Sequence, residues 1–276
     1  IHPEGFTVEN TVLPPREYTK PKEYSGVRSG RYHEYQPGYF GFVSLTWAPL
    51  GERDGAAQSE HEVGPVIWPS TGYLSADGEP LTHAHPHPAG FVHDGFLYVF
   101  HREQPIGPQS EGREGGVKVA RAPLDQVFEP AAWCNWFEGA FAEPTFPEGF
   151  EKRARRFLSQ PGGRSSRIHG ELGPNVNRFS VARIQGTPWF LGVEQVGSRI
   201  SLRVSRDLVT WSERTDVPET TNDDGSPAFM YPGLANADYT SNVELDAGDF
   251  LLVGASPRAP VNVKRLSIAI DAERVP

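Results

Sequence analysis

Short apolar runs framed by polar turns recur along the chain. Asp94-Gly95-Phe96-Leu97-Tyr98-Val99-Phe100, Gln185-Gly186-Thr187-Pro188-Trp189-Phe190-Leu191 and Ala247-Gly248-Asp249-Phe250-Leu251-Leu252-Val253 each set a polar turn ahead of an apolar strand. Upstream of them lie Pro88-Ala89-Gly90-Phe91-Val92, Pro174-Asn175-Val176-Asn177-Arg178-Phe179 and Pro232-Gly233-Leu234-Ala235-Asn236. Downstream lie the alternating segments Val117–Arg121, Ile200–Val204 and Val263–Ile268. Period-two alternation bounded by Gly and Pro predicts strands, so each unit reads as strand, turn, longer strand, loop and alternating strand.

A repeated meander of this kind predicts an all-β fold, a β-propeller, with a β-sandwich of coincidentally similar hairpins as the alternative. A weaker copy comes earlier, in Phe40–Trp47 followed by Pro65-Val66-Ile67-Trp68. The chain length divided by the repeat spacing gives five blades, of which four are legible. The longer interval between Gly95 and Gly186 is assigned to an insertion at about residues 137–170. Residues 1–37, broken by Pro3, Pro14, Pro15, Pro21 and Pro37, read as an extended lead-in lying on a single propeller domain at residues 38–276.

Composition narrows the class. With 29 Gly and 26 Pro among 276 residues, breakers make up about a fifth of the chain, too many for a helical bundle or coiled coil. Hydrophobic residues at 37% and aromatics at 11% supply a core despite a mean hydropathy of −0.47. A net charge of −9 argues against nucleic acid as a partner, because that affinity comes from clustered Lys and Arg. The one basic cluster, Lys152-Arg153-Ala154-Arg155-Arg156, reads as a solvated helical turn. No apolar run is long enough to span a bilayer, and no signal-peptide core is present. Cys134, the single cysteine, lies between Trp133 and Trp136 and reads as a buried small hydrophobe.

Particular phrases carry a family resemblance. Ser205-Arg206-Asp207-Leu208-Val209-Thr210-Trp211 resembles the S-x-D-L-x-x-W outer-strand phrase of five-bladed propeller glycoside hydrolases of the arabinanase, xylosidase and invertase kind. Val119–Asp125 followed by Trp133 is a looser version, and Asp94–Phe100 is similar to that group's D-G-x-Y-Y-L strand. The resemblance covers roughly residues 85 to 256. It implies three carboxylates at the inner ends of successive blades, with a Glu acid in an E-x-P phrase; Glu171-Leu172-Gly173-Pro174 matches that phrase with one residue more. An Asp is implied about eight residues before the D-G turn, where this chain instead has His85-Pro86-His87-Pro88.

The candidate chemistry follows. Glycoside hydrolysis needs a proton donor at the leaving oxygen and a second group that attacks or activates water. Glu171 is the candidate acid, with capping of an edge strand as its structural alternative. Asp238, taken as opening a blade, is a candidate base or orienting group, against an Asx turn beside Tyr239-Thr240. Alternation puts His83, His85 and His87 on one face of an extended segment. His87 is the catalytic candidate there and His85 a sugar contact; metal binding and a structural role are the alternatives. Arg164, Arg167 and His169 belong to a Gly-rich loop suited to an acidic or hydroxyl-rich sugar, or to a plain surface loop. Glu143 is a reserve carboxylate. Asn175 and Asn236 at blade openings complete the polar set, and Trp47, Trp68 and Tyr231 are candidate stacking platforms, against core filling.

The expected function is a glycoside hydrolase acting on a plant or microbial polysaccharide or oligosaccharide at an axial pocket. The alternatives are a polysaccharide lyase with a His or Tyr base on a uronate, and a non-catalytic sugar-binding propeller. The resemblance implies a secreted or periplasmic location and no cofactor; Asp and Asn at blade openings are compatible with a structural Ca²⁺. The expected partner is a carbohydrate substrate, with no membrane insertion.

Overall fold

The computed structural model describes residues 43–47, 61–73, 75, 81–84, 88–105, 115–150, 159–168, 176–255 and 261–271. No α-helix occurs among them, none is long and apolar enough to cross a membrane, and helical turns appear at Leu124–Gln126 and Pro130–Ala132. The strands in chain order are β1 (Val43–Trp47), β2 (His61–Ile67), β3 (Thr82–Ala84), β4 (Ala89–His93), β5 (Phe96–Pro105) and β6 (Gly116–Pro123). There follow β7 (Cys134–Phe137), β8 (Ala140–Pro144), β9 (Val176–Ile184), β10 (Phe190–Val196) and β11 (Arg199–Ser205). The last are β12 (Thr215–Asp216), β13 (Met230–Asn236), β14 (Glu244–Leu245), β15 (Phe250–Ala255) and β16 (Asn262–Leu266). The all-β class and the strand pattern read from the sequence are what the structure has. Strand β8 falls inside the stretch assigned to an insertion, so that stretch begins within the sheet.

Contacts divide the chain into two compact units. One takes Ile1–Pro86, Glu103–Glu114 and Ala120–Ser166; the other takes His87–Arg102, Gly115–Val119 and Arg167–Pro276. In the first unit β1 and β2 form an antiparallel pair, β3 pairs with the end of β5, and β8 pairs with β7, which pairs with Ala120–Arg121 of β6. Trp68 is in its core rather than on a sugar-facing surface. Its ring packs on Tyr73, Phe146 and Phe150, and Nε1 donates to the Gln160 carbonyl at 2.9 Å. Glu103 is buried and accepts from Ser70 N at 3.1 Å and Ser70 Oγ at 2.8 Å. Burial, reinforced by Glu103, pushes the Tyr73 phenol well above its usual value. Cys134 is half-buried, and burial raises its thiol, which keeps it protonated and unreactive.

The second unit is built from stacked antiparallel meanders. The β4–β5 hairpin turns at Asp94-Gly95, where φ values of 51° and 76° are those of the two-residue turn whose twist matches the strands. A five-stranded sheet has the order β12-β11-β10-β9-β14, and a three-stranded sheet the order β13-β15-β16. In the register of β9, β10 and β11, Ala182, Leu191 and Val204 share one face with Val193 and Leu202. That face forms an apolar core with Leu234 of β13 and Phe250 and Leu252 of β15.

The opposite face of the same sheet packs on the β4–β5 hairpin. Phe179 and Trp211 meet Phe100 at 5.4 and 6.3 Å, and Phe190 meets Phe91 at 5.7 Å. Gly192 makes this approach possible. A Cβ there would come within 2.8 Å of both the Phe179 and Trp211 rings. Alternation along Ile200–Val204 suggests a strand with one wet face, but Ser201, Arg203 and Ser205 are all buried. The charges on the polar face are paired internally: Glu194 Oε1 lies 3.2 Å from Arg203 Nε and 3.1 Å from Arg214 Nε. Arg203 Nη1 donates to the Ser212 carbonyl at 2.5 Å. Burial pushes the Glu194 carboxyl up, and the Arg203 and Arg214 guanidiniums oppose it.

The Ser205–Trp211 phrase is a self-capped turn. Ser205 Oγ accepts from Asp207 N and Leu208 N at 3.2 and 3.0 Å, and Asp207 Oδ1 accepts from Val209 N and Thr210 N at 2.9 and 2.6 Å. Leu208 takes the left-handed conformation at φ 68°, and Trp211 Nε1 closes the loop on the Leu208 carbonyl at 3.1 Å. Ser205, Asp207, Leu208 and Trp211, the fixed positions of the phrase, each have a turn-forming task, which ties the phrase to fold and not to chemistry.

Two outcomes test this packing. Gly192→Ala is expected to cost ~1–3 kcal/mol of stability by overpacking, whereas Gly233→Ala, with open space at its Cβ, stays near wild type. Equal urea midpoints for the two variants would contradict the ring contact. Glu194→Gln is expected to cost about 3 kcal/mol, because it leaves a buried guanidinium without its counter-charge; an unchanged midpoint would remove the ion pair from the account.

Candidate functional site

The second unit has two distinguishable ends, set by strand direction. Ala89, at the start of β4, is opposite Phe100, which rests on Phe179 near the start of β9. His93, at the end of β4, rests 4.8 Å from Phe190, which is opposite Arg183 near the end of β9. Strands β4 and β9 therefore run parallel. The same holds for β9 and β13, since Ser180 Oγ donates to the Pro232 carbonyl at 3.3 Å while Arg183 N donates to Val243, beyond the end of β13, at 2.7 Å. The starts of β4, β9 and β13 thus share one end, the leading end. The turns at Asp94-Gly95, Gln185-Gly186 and Asp238–Thr240 share the other.

Asp238 and Asn236 belong to the turn end. Strand β13 is Met230–Asn236, so Asp238 follows the strand and does not open it. It is exposed, and its Oδ1 accepts from Thr240 N at 3.1 Å and Thr240 Oγ1 at 2.7 Å, the Asx turn weighed from the sequence. These hydrogen bonds hold its carboxyl below the usual range, which weakens it as a base. Asn236 donates Nδ2 to Thr240 Oγ1 at 2.9 Å and accepts Ser241 N on Oδ1 at 2.9 Å, so both ends of its amide serve the turn. At ~3.3 Å per residue, the five steps from Arg178 to Arg183 put this turn about 16 Å from the leading end. Paired catalytic carboxyls stand within about 10 Å of each other.

Of the other sequence candidates, His85, His87, His169, Glu171 and Asn175 lie outside the described residues, and of Trp47 and His83 the strand backbone alone is described. By position in the chain, His87 comes two residues before β4 and Glu171 five before β9. Arg167 is half-buried next to Ile168, whose N donates to the Val117 carbonyl at 3.1 Å. Arg164 and Glu143 are spent on each other in the first unit, through Nε–Oε1 at 3.2 Å and Nη2–Oε2 at 3.1 Å, with the guanidinium over the Phe137 ring at 4.4 Å. Among the described residues no group of three His, Cys, Asp or Glu is placed to hold a metal ion.

Tyr231 stands at the leading end, with residues that the sequence reading passed over. The β13–β15 register slips between Met230 and Gly233, and Tyr231 sits in this bulge at φ 56°, 54% exposed. A bulge re-aims a side chain, and a non-glycine residue in the left-handed region costs of order 1 kcal/mol, a strain concentrated at functional sites. Gln195, buried on β10, holds the bulge: its Oε1 accepts Tyr231 N at 3.2 Å and its Nε2 donates to the Gly197 carbonyl at 3.0 Å. Arg178, opposite Gln195 on β9, lies under the tyrosine with Cζ 3.5 Å from the ring centroid. Arg102 of β5 is near enough to feel it: burial, then the Arg178 charge, lowers the Arg102 guanidinium. Burial likewise lowers Arg178, with Tyr231 opposing. One signal was available in the sequence. Arg178 is the single cation on the β9 face that continues through Ser180, Ala182 and Ile184, a position where an apolar residue is expected.

No known protein family matches the chain, and no curated protein does. Solved structures give weak likenesses. A family 117 glycoside hydrolase of the marine bacterium Zobellia galactanivorans is 10% identical at a TM-score of 0.42, covering 86% of this chain and 57% of its own. An N-acetylgalactosamine deacetylase from F. plautii, solved with blood group B trisaccharide, is 13% identical at 0.36, covering 85% and 64%. The catalytic domain of a Coprinopsis cinerea GH62 α-L-arabinofuranosidase is 9% identical at 0.31, covering 94% and 95%. The chain thus spans less than two thirds of the length of the first two, and at TM-scores below 0.5 these likenesses carry no functional weight.

Proposed function

We propose that the chain is a carbohydrate-active enzyme of β-propeller type, a glycosidase whose pocket lies at the leading ends of β4, β9 and β13. The observation that carries this reading is the parallel run of the three strands. In chain order His87 precedes β4 by two residues and Glu171 precedes β9 by five. An acid and an imidazole so placed in the chain supply the two roles that glycoside hydrolysis requires.

In this reading Glu171 protonates the glycosidic oxygen as the bond to it breaks. His87 takes a proton from the attacking water, with imidazole replacing the carboxylate of the similar hydrolases. The exposed ring of Tyr231 supplies an apolar face for a sugar ring, and Arg167, His169 and Asn175 supply polar contacts. Asp238 is assigned to its turn with Thr240 and not to the chemistry. The substrate is an oligosaccharide or polysaccharide of plant or microbial origin, and the expected location is secreted or periplasmic.

The test is turnover of a polysaccharide panel, read as new reducing ends. Glu171→Gln is expected to lower turnover ~10²–10⁴-fold with an unchanged melting temperature, while Asp238→Asn stays within about threefold of wild type. Full turnover in a folded Glu171→Gln variant would overturn the assignment of the acid. An ultraviolet-absorbing unsaturated product would replace hydrolysis with elimination.

A further inference from the structure

Several of the described arginines pair with carboxylates, while others, such as Arg206 over Trp189, lie over a ring. Buried Arg203 faces Glu194, Arg164 pairs with Glu143, Arg199 with Asp216 and Arg265 with Asp249. Arg178 does not. It is half-buried, no described carboxylate forms an ion pair with it, and its Nε is buried with no hydrogen-bond partner. Its partner is Tyr231, whose ring centroid lies 3.5 Å from Cζ and whose side chain also hydrogen-bonds to it.

Desolvating a guanidinium without a counter-charge is costly, and a fold retains such a group where a ligand supplies the missing anion. The geometry suits a planar anion. A guanidinium presents N–H groups in one plane, where a carboxylate is held by two parallel hydrogen bonds. The support is built and strained: Tyr231 is turned out by a bulge, at φ 56°, and pinned through its backbone by Gln195.

We propose that the leading end of the second unit binds a carboxylate-bearing saccharide, its uronate group held by Arg178 and a sugar ring resting against Tyr231. The proposal rests on the reading of this end as a saccharide pocket and names its substrate class. Neutral glycans lack the group that Arg178 requires, so they bind more weakly at the same place.

The experiment is calorimetric titration of the full chain. The probes are glucuronate-, galacturonate- and mannuronate-containing disaccharides, their carboxyl-reduced neutral counterparts, a sulfated disaccharide and sodium sulfate. At least one uronate disaccharide is expected to bind ~10- to 100-fold more tightly than its neutral counterpart. Arg178→Gln is expected to bring the acid and neutral sugars to the same affinity. Arg178→Lys, which keeps the charge and loses the fork, recovers part of the preference. Tyr231→Leu, at an exposed position, weakens acid and neutral sugars alike about tenfold and keeps the acid preference; it serves as the second variant if Arg178→Gln does not fold. Equal binding of acid and neutral sugars by the wild type, or an acid preference that survives Arg178→Gln, overturns the proposal while the saccharide pocket stands. A sulfated disaccharide bound more tightly than every uronate overturns the carboxylate assignment. Binding of sulfate without any saccharide, or of no probe at all, overturns both the proposal and the pocket.

Discussion

Strand β10 is buried on both faces, and the rest of the second unit is arranged around that constraint. One face is apolar and closes on β13 and β15. The other must place Glu194 and Arg203 out of water, and does so by setting them against each other with Arg214 at the rim. Ion pairs of this kind contribute little net stability over an apolar core, but breaking one is costly, so they fix which strands are neighbours. Gly192 sets the spacing, because the Phe179 and Trp211 rings occupy the room a side chain would need. With both contacts in place β4, β9 and β13 run side by side in one direction.

That common direction gives the unit a polarity with chemical consequences. The turn end gathers aspartates and asparagines whose side chains are consumed by local hydrogen bonds, as at Asn236 and Asp238. Such carboxylates are solvated, stabilised as anions and poorly suited to proton transfer. The leading end gathers groups under electrostatic stress. Arg178 and Arg102 are both lowered by burial, and Tyr231 is held in an unfavourable backbone conformation by a buried glutamine. Stress of this sort persists where the surrounding sheet is rigid enough to bear it, and β9 and β10 are.

Local patterns made the fold legible, and the site much less so. The Asp94-Gly95 turn, the apolar run of β5 and the alternation of β11 are short-range signals, and each element appears where its residues indicate. The polar face of β11 shows the limit of such signals. Alternation tells which residues share a face, but whether that face meets water or a second sheet depends on partners distant in the chain, here Glu194. Asp238 shows it for function. In sequence it looks like a residue opening a strand; only the pairing of Met230–Asn236 with β15 shows that the strand has already ended. Arg178 and Gln195 had the opposite fate. Each looks ordinary in its own segment, and their importance comes from a bulge in β13, a strand that follows much later.

The most direct measurement is a crystal structure of the Glu171→Gln protein soaked with an oligosaccharide that the wild type cleaves. The account predicts a sugar ring against Tyr231, a carboxylate of the ligand on Arg178, and the glycosidic oxygen within about 3 Å of the residue-171 side chain. A ligand seated at the turn end beside Asp238, with the Tyr231 ring unoccupied, would contradict it.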